Sequence, residues 1–171
     1  MSDYQIINTN PADLPVVYWL FEEAIAYQKR NNYIPWNGFD KDILQQDIDS
    51  KRQYKIVINR EIVCIFSVLN SDPFIWQEKE DGRALYIHRV VVNPAHHGQN
   101  HFKKIVTWVI DYALSIGKKS IRMDTWGDNP KIIEYYKKFG FRFIEFYTTG
   151  CQTELAVQNR NLKVALLEMV L

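Results

Sequence analysis

Apolar and polar residues alternate from Tyr4 to Thr9, a period of two that predicts a strand. The period then lengthens: Val17, Leu20, Phe21, Ala24 and Ile25 recur at helical spacing. Asp13 is placed to cap that helix, which runs to about Arg30. Pro35 and Gly38 in NNYIPWNGFD end it, and a shorter helix is predicted from Lys41 to Asp49. Two β-rich runs, Tyr54–Ile58 and Ile62–Leu69, join at Asn59-Arg60-Glu61 as a hairpin. SDPFIWQEKEDG reads as a loop and Ala84–Val92 as a third long strand. Phe102–Ile116 carries a helical stripe closed by Gly117. Ser120–Thr125 is a strand, Asn129–Phe139 a helix closed by Gly140, and Phe141–Tyr147 and Val164–Val170 are the last strands. This order predicts an α+β fold with a mixed sheet. The helix between Val92 and Ser120 makes the strands on either side parallel neighbours through a right-handed crossover.

A chain of 171 residues suits one domain spanning 1–171. With 47% apolar and 14% aromatic residues, global disorder is excluded. A net charge of +1 argues against broad nucleic-acid binding, though not against a small anion site. Cys64 and Cys151 match no metal-ligand spacing, and Cys64, inside an apolar run, reads as a buried thiol. The N-terminus has no signal-peptide pattern and no apolar run approaches membrane-spanning length. The expectation is a soluble cytoplasmic protein with neither membrane nor nucleic-acid partners.

One stretch, VVVNPAHHGQNHFKK, leads from a strand through a polar loop into a helix, a common way to hold a phosphate. Phosphate loops usually carry several glycines, and this one has only Gly98. Asn is the non-glycine residue most at ease in the left-handed region, so Asn100 can keep the backbone path. The ligands in such a loop are backbone N–H groups, and Lys103 and Lys104 add charge nearby. Phe102 must turn into the core or it narrows the groove. The alternative is a plain strand-helix connection.

Two segments, ALYIHRVVVNPAHHGQNHFKKIVTWVIDYALSIG and IRMDTWGDNPKIIEYYKKFGFRFIE, together resemble the GNAT superfamily, which transfers acetyl from acetyl-CoA to amines. The second carries the family's Asn (Asn129) and then a helix ending in Tyr-x-x-x-Gly-Phe (Tyr136, Gly140, Phe141). The first departs from the family's (Gln/Arg)-x-x-Gly-x-(Gly/Ala) loop, having His97, Asn100 and Phe102 at those positions. The resemblance implies a mostly antiparallel central sheet of about six to seven strands with a splayed parallel central pair, flanked by about four helices. It implies acetyl-CoA as co-substrate and no metal. The backbone of Val90, Val91 and Val92 would pair with the pantetheine arm. The rest of the cofactor would meet His97, Gly98, Gln99, Asn100, His101, Phe102, Lys103, Asn129 and Tyr136.

The amine acceptor must lose a proton before attack, and the departing thiolate, with a reference pKa of about 8.5, benefits from an acid. Tyr136 stands where the family's tyrosine acid stands; its other reading is a core aromatic beside Tyr135. Strand alternation places Tyr86, His88, Val90 and Val92 on one face. By the resemblance, that face makes His88 the candidate base, against a structural, hydrogen-bonded role. Trp36, Phe39, Phe74, Trp76, Tyr86 and Trp126 are the candidates to line the acceptor pocket, or they cover the sheet edge. The expected activity is direct transfer to a small-molecule or peptide amine in a ternary complex. A non-catalytic CoA-binding module and an interaction protein are the rivals. Members of the family often dimerise, which makes a homodimer an option.

Overall fold

The structure, a computed structural model, describes residues 3–171. Seven strands form one mixed sheet in the order β1-β2-β3-β4-β5-β7-β6. They are β1 (Tyr4–Asn8), β2 (Gln53–Ile58), β3 (Glu61–Leu69), β4 (Ala84–Val92), β5 (Ser120–Trp126), β6 (Arg142–Thr148) and β7 (Lys163–Val170). The helices are α1 (Leu14–Arg30), α2 (Lys41–Asp49), α3 (Pro73–Trp76), α4 (His101–Ser115) and α5 (Pro130–Lys137). The α+β class and the expected parallel pair are both present: β4 and β5 run parallel from Ala84↔Ser120 to Ile87↔Met123. Their registered pairing ends there, although both strands continue. No described helix is long and apolar enough to cross a membrane.

The chain divides into two compact units. The first comprises the described residues up to Val68, Arg89–His101 and Ala156–Gln158. Its core joins Val17, Leu20 and Phe21 of α1 to Leu44 of α2, Ile65 of β3 and Val91 of β4. The helical stripe of α1 is therefore buried as its spacing predicts. Asp13 does not cap α1 through its side chain. Its carboxylate instead accepts from the Asn10 N–H at 2.8 Å and from Lys55 Nζ at 2.6 Å, and Asn10 caps a short 3-10 turn ahead of the helix. Asp40 caps α2, accepting from the N–H groups of Asp42 and Ile43. The β2–β3 turn is tighter than expected: Asn59 (φ +50°) and Arg60 (φ +68°) make a two-residue left-handed turn, and Glu61 already belongs to β3.

The second unit comprises Leu69–His88, Phe102–Leu155 and Asn159–Leu171. Here SDPFIWQEKEDG departs from the loop expectation. It holds the single turn α3 and a 3-10 turn over Gln77–Lys79. Pro73 sits at the first turn, where its missing N–H costs nothing. Ile75 and Trp76 are buried with Ala84, Tyr86, Val164 and Leu166. Four residues are too few to show a helical period, so only the burial reveals the element. β6 closes the order at one edge, with Phe143, Ile144 and Phe146 exposed. Its pairing to β7 skips Ile144, a bulge.

Strict alternation fails in β4. Arg89 has φ +52°, the left-handed region, in mid-strand. Counting by twos therefore cannot carry Val90 and Val92 onto the face of Tyr86 and His88. Val91 instead joins the core beneath α1 and α2.

Candidate active site

The loop after β4 is pinned at both ends by side chains. Asn93 donates its backbone N–H to Val63 O at 2.9 Å and its side-chain amide to Ile62 O at 3.2 Å, and its Oδ1 accepts from the Ala95 N–H. His96 Nε2 lies 3.1 Å from Glu61 Oε2. His101 is buried and its Nε2 meets the His96 carbonyl at 3.1 Å, so its side chain fastens the loop. Between these anchors, His97 to Asn100 are exposed. Gly98 has φ +77° and Asn100 φ +55°, so Asn100 adopts the backbone conformation expected of it. The exposed His97 ring stands edge-on to Tyr27 at 5.0 Å. The N-terminus of α4 follows at once, with Lys103 exposed. Main-chain N–H donors, a helix N-terminus and an exposed ammonium form a donor set that fits a pyrophosphate.

Phe102 turns inward. It is 5% exposed, and its ring lies 4.8 Å from Tyr136, 5.1 Å from Phe139 and 6.2 Å from Phe141. Tyr136 is thus a half-buried ring on α5, packed on Phe102 and 5.4 Å from Tyr135. Asn129 is the N-cap of α5, its Oδ1 accepting from the Ile132 N–H at 3.2 Å. That bond fixes where α5 starts and so where Tyr136, two turns on, is presented.

His88 is 7% exposed and stands between two carboxylates. Its Nε2 lies 2.9 Å from Asp72 Oδ2, and its Nδ1 3.6 Å from Asp124 Oδ1. The contact with Asp72 is charged only with His88 protonated. Asp72 occupies the N-cap position of α3 yet makes no side-chain cap bond; its carboxylate is directed to His88 instead. The three residues present donor atoms within 4.8 Å of one another, a spacing that a divalent cation also accepts. Nothing in their sequence spacing announces this group. Asp72 and Asp124 lie on a turn and a different strand, and only the parallel pairing of β4 with β5 brings Asp124 alongside.

Beside this group, Arg122 on β5 donates to Glu168 at 2.7 Å, to the Lys79 carbonyl at 2.7 Å and to the Tyr86 hydroxyl at 3.1 Å, and stacks 4.7 Å over Trp76. Burial raises the Tyr86 phenol well above its usual value, despite Arg122. Tyr86 therefore stays protonated at neutral pH and is no phenolate base. Burial would also raise the Glu80 carboxyl. The N–H groups of Asp72 at 2.6 Å and Gly82 at 2.9 Å outweigh it and hold that carboxyl below its usual value.

The pocket candidates include both buried and exposed side chains. Trp36 and Phe39 pack on Phe21, at 5.7 and 5.3 Å, and Gln28 Oε1 accepts from the Trp36 N–H at 2.7 Å. Trp76 and Tyr86 are interior side chains with rings 6.0 Å apart. Phe74 is exposed on α3, and Trp126 is half-buried at the end of β5.

A search of curated protein sequences finds no significant match. Among solved structures, the chain is similar to a GNAT-family acetyltransferase from Listeria monocytogenes, at TM-score 0.76 and 17% identity over 98% of this chain and 95% of that one. It is also similar to YncA from Salmonella typhimurium, solved with acetyl-CoA, at TM-score 0.68 and 18% identity, covering 98% and 93%. An aminoglycoside acetyltransferase in complex with coenzyme A and kanamycin matches at TM-score 0.72 and 14% identity, covering 98% and 95%. At these identities the likeness establishes the fold. The acetyltransferase (GNAT) family model matches residues 21–141, well over half the chain, and with the fold it shows that this protein belongs to the GNAT family of acetyltransferases.

Proposed function

We propose that the protein transfers acetyl from acetyl-CoA to a primary amine, small-molecule or peptide, by direct attack in a ternary complex in the cytoplasm. The observation that carries this reading is the β4–α4 loop. Gly98 and Asn100 are both left-handed in an exposed loop that opens a fifteen-residue helix. Phe102, the side chain that would have obstructed such a loop, is turned into the interior. The main chain of Gly98–Lys103 holds the pyrophosphate, and the backbone of Val90–Val92 pairs with the pantetheine arm. Tyr136 donates a proton to the departing thiolate.

The amine proton passes to the Asp72–His88–Asp124 group. The imidazole stands with a carboxylate beside each nitrogen, and these orient the ring. No metal takes part, and turnover is expected to survive a strong chelator. Neither Cys64, which is buried, nor Cys151, which is exposed, serves as an acetyl carrier.

The first test is independent of the acceptor's identity. Acetyl-CoA should raise the melting temperature, because a ligand bound only to the native state stabilises it. Asn100→Pro should abolish that shift by fixing φ at a negative value and removing a donor. A panel of amines, followed by thiol release from acetyl-CoA, then identifies the acceptor. Absence of a shift at millimolar acetyl-CoA sinks the reading in favour of an interaction protein; binding without turnover on any amine favours a CoA-binding module.

A further inference from the structure

We propose that Asp47 is a positioning residue for the cofactor arm: through Arg89 it holds the left-handed break in β4 and so sets the backbone of Val90–Val92. The inference deepens the function proposed above and rests on its assignment of that backbone to the pantetheine arm. Asp47 lies on α2 and is 1% exposed. A carboxylate so deeply buried must have its charge and lone pairs answered. Its Oδ2 accepts from Arg89 Nη2 and from Ser67 Oγ at 2.9 Å, and its Oδ1 faces Arg52 Nη2 at 3.2 Å. The Arg89 side chain is itself only 8% exposed, and Arg52 reaches Asp47 from the surface.

The backbone at Arg89 needs this anchor. A φ of +52° brings the Cβ of an L-residue against its own carbonyl, which is why such positions usually go to Gly or Asn. An arginine stays there in mid-strand because its guanidinium is seated in a buried charge cluster. Just beyond, Val91 is 2% exposed in the core, and Asn93 is bonded to the main chain of β3. The three residues Val90–Val92 are therefore clamped at both ends. Asp47 fixes the near end, and the turn at Arg89 decides which way their N–H and C=O groups point.

Substitutions at Arg89 separate backbone geometry from charge. Arg89→Ala and Arg89→Gly remove the same guanidinium, but glycine takes a positive φ without an anchor. Isothermal titration of the full-length protein with coenzyme A should show Arg89→Ala binding about tenfold more weakly than wild type, with Arg89→Gly recovering most of that loss. Asp47→Asn should weaken binding severalfold when Arg89 is present and add nothing in the Arg89→Gly background. Circular dichroism checks folding, and Arg89→Gln replaces Arg89→Ala if the latter does not fold. Equal losses for Ala (or Gln) and Gly overturn the proposal, as does an Asp47→Asn effect of the same size in both backgrounds. Failure of the wild-type protein to bind coenzyme A overturns the underlying cofactor reading, a result distinct from any pattern among the variants.

Discussion

Phe102, in the first turn of α4, stands where the family pattern has a small residue, so replacing it by alanine sets two effects against each other. If the ring obstructed the cofactor, Phe102→Ala would tighten acetyl-CoA binding. The structure predicts a different outcome. The ring is 5% exposed and meets the rings of Tyr136, Phe139, Tyr135 and Phe141 at centroid distances from 4.8 to 6.2 Å. Removing a buried phenyl costs about 3–5 kcal/mol, transfer and cavity terms together. Aromatic contacts are worth about 0.5–1.5 kcal/mol each beyond area, which favours the upper half of that range. At about 2–4 °C per kcal/mol for a chain of this size, Tm should fall by roughly 10 °C. Affinity for acetyl-CoA should stay within about threefold, because the main-chain donors are unchanged. Differential scanning fluorimetry, with and without acetyl-CoA, reads both quantities at once. A variant that keeps the wild-type Tm and binds about tenfold tighter would falsify the placement of Phe102 in the core.

Three further outcomes are expected. Tyr136→Phe should lower kcat by about 10²–10⁴-fold with little change in acetyl-CoA affinity, as steady-state kinetics would report; an unchanged kcat makes Tyr136 a packing residue only. The acidic limb of the kcat/KM profile should flatten in His88→Ala and change in Asp124→Asn, since Asp124 Oδ1 stands 3.6 Å from His88 Nδ1; a limb unaltered in both variants assigns the proton to another route. Glu80, held below its usual carboxyl value, contributes stability that is fully present above about pH 4.5 and is lost as pH falls through the depressed value. Thermal melts should therefore find Glu80→Gln less stable than wild type at pH 7, with the gap closing towards pH 3; a gap independent of pH means that the charge contributes nothing.

Local patterns announced most of the fold. Alternation found β1, the apolar stripe found α1, and Gly117 and Gly140 marked where α4 and α5 stop. The turn at α3 escaped because one turn has no period, and the break at Arg89 because nothing in an arginine advertises a positive φ. The loop's backbone path was legible in Asn100, whose side-chain type tolerates that path. The partners of His88 were not, since Asp72 and Asp124 come to it from a distant turn and a neighbouring strand. The same holds for Asp47 and Arg89, which are 42 residues apart and meet only in the fold. Contacts made by topology leave no trace in local spacing.

The bulge at Ile144 interrupts an exposed sheet edge. β6 is an edge strand with Phe143, Ile144 and Phe146 exposed, an invitation to pair with another chain. The overall charge of +1 supplies little mutual repulsion between molecules near neutral pH. The shape of the edge is then the main structural obstacle to such pairing. One skipped residue interrupts its row of hydrogen-bonding groups, and Lys163 Nζ, 4.9 Å over the Phe146 ring, sets a charge on its apolar face. Deleting Ile144 should straighten the strand into an unbroken template and so favour edge-to-edge pairing between molecules.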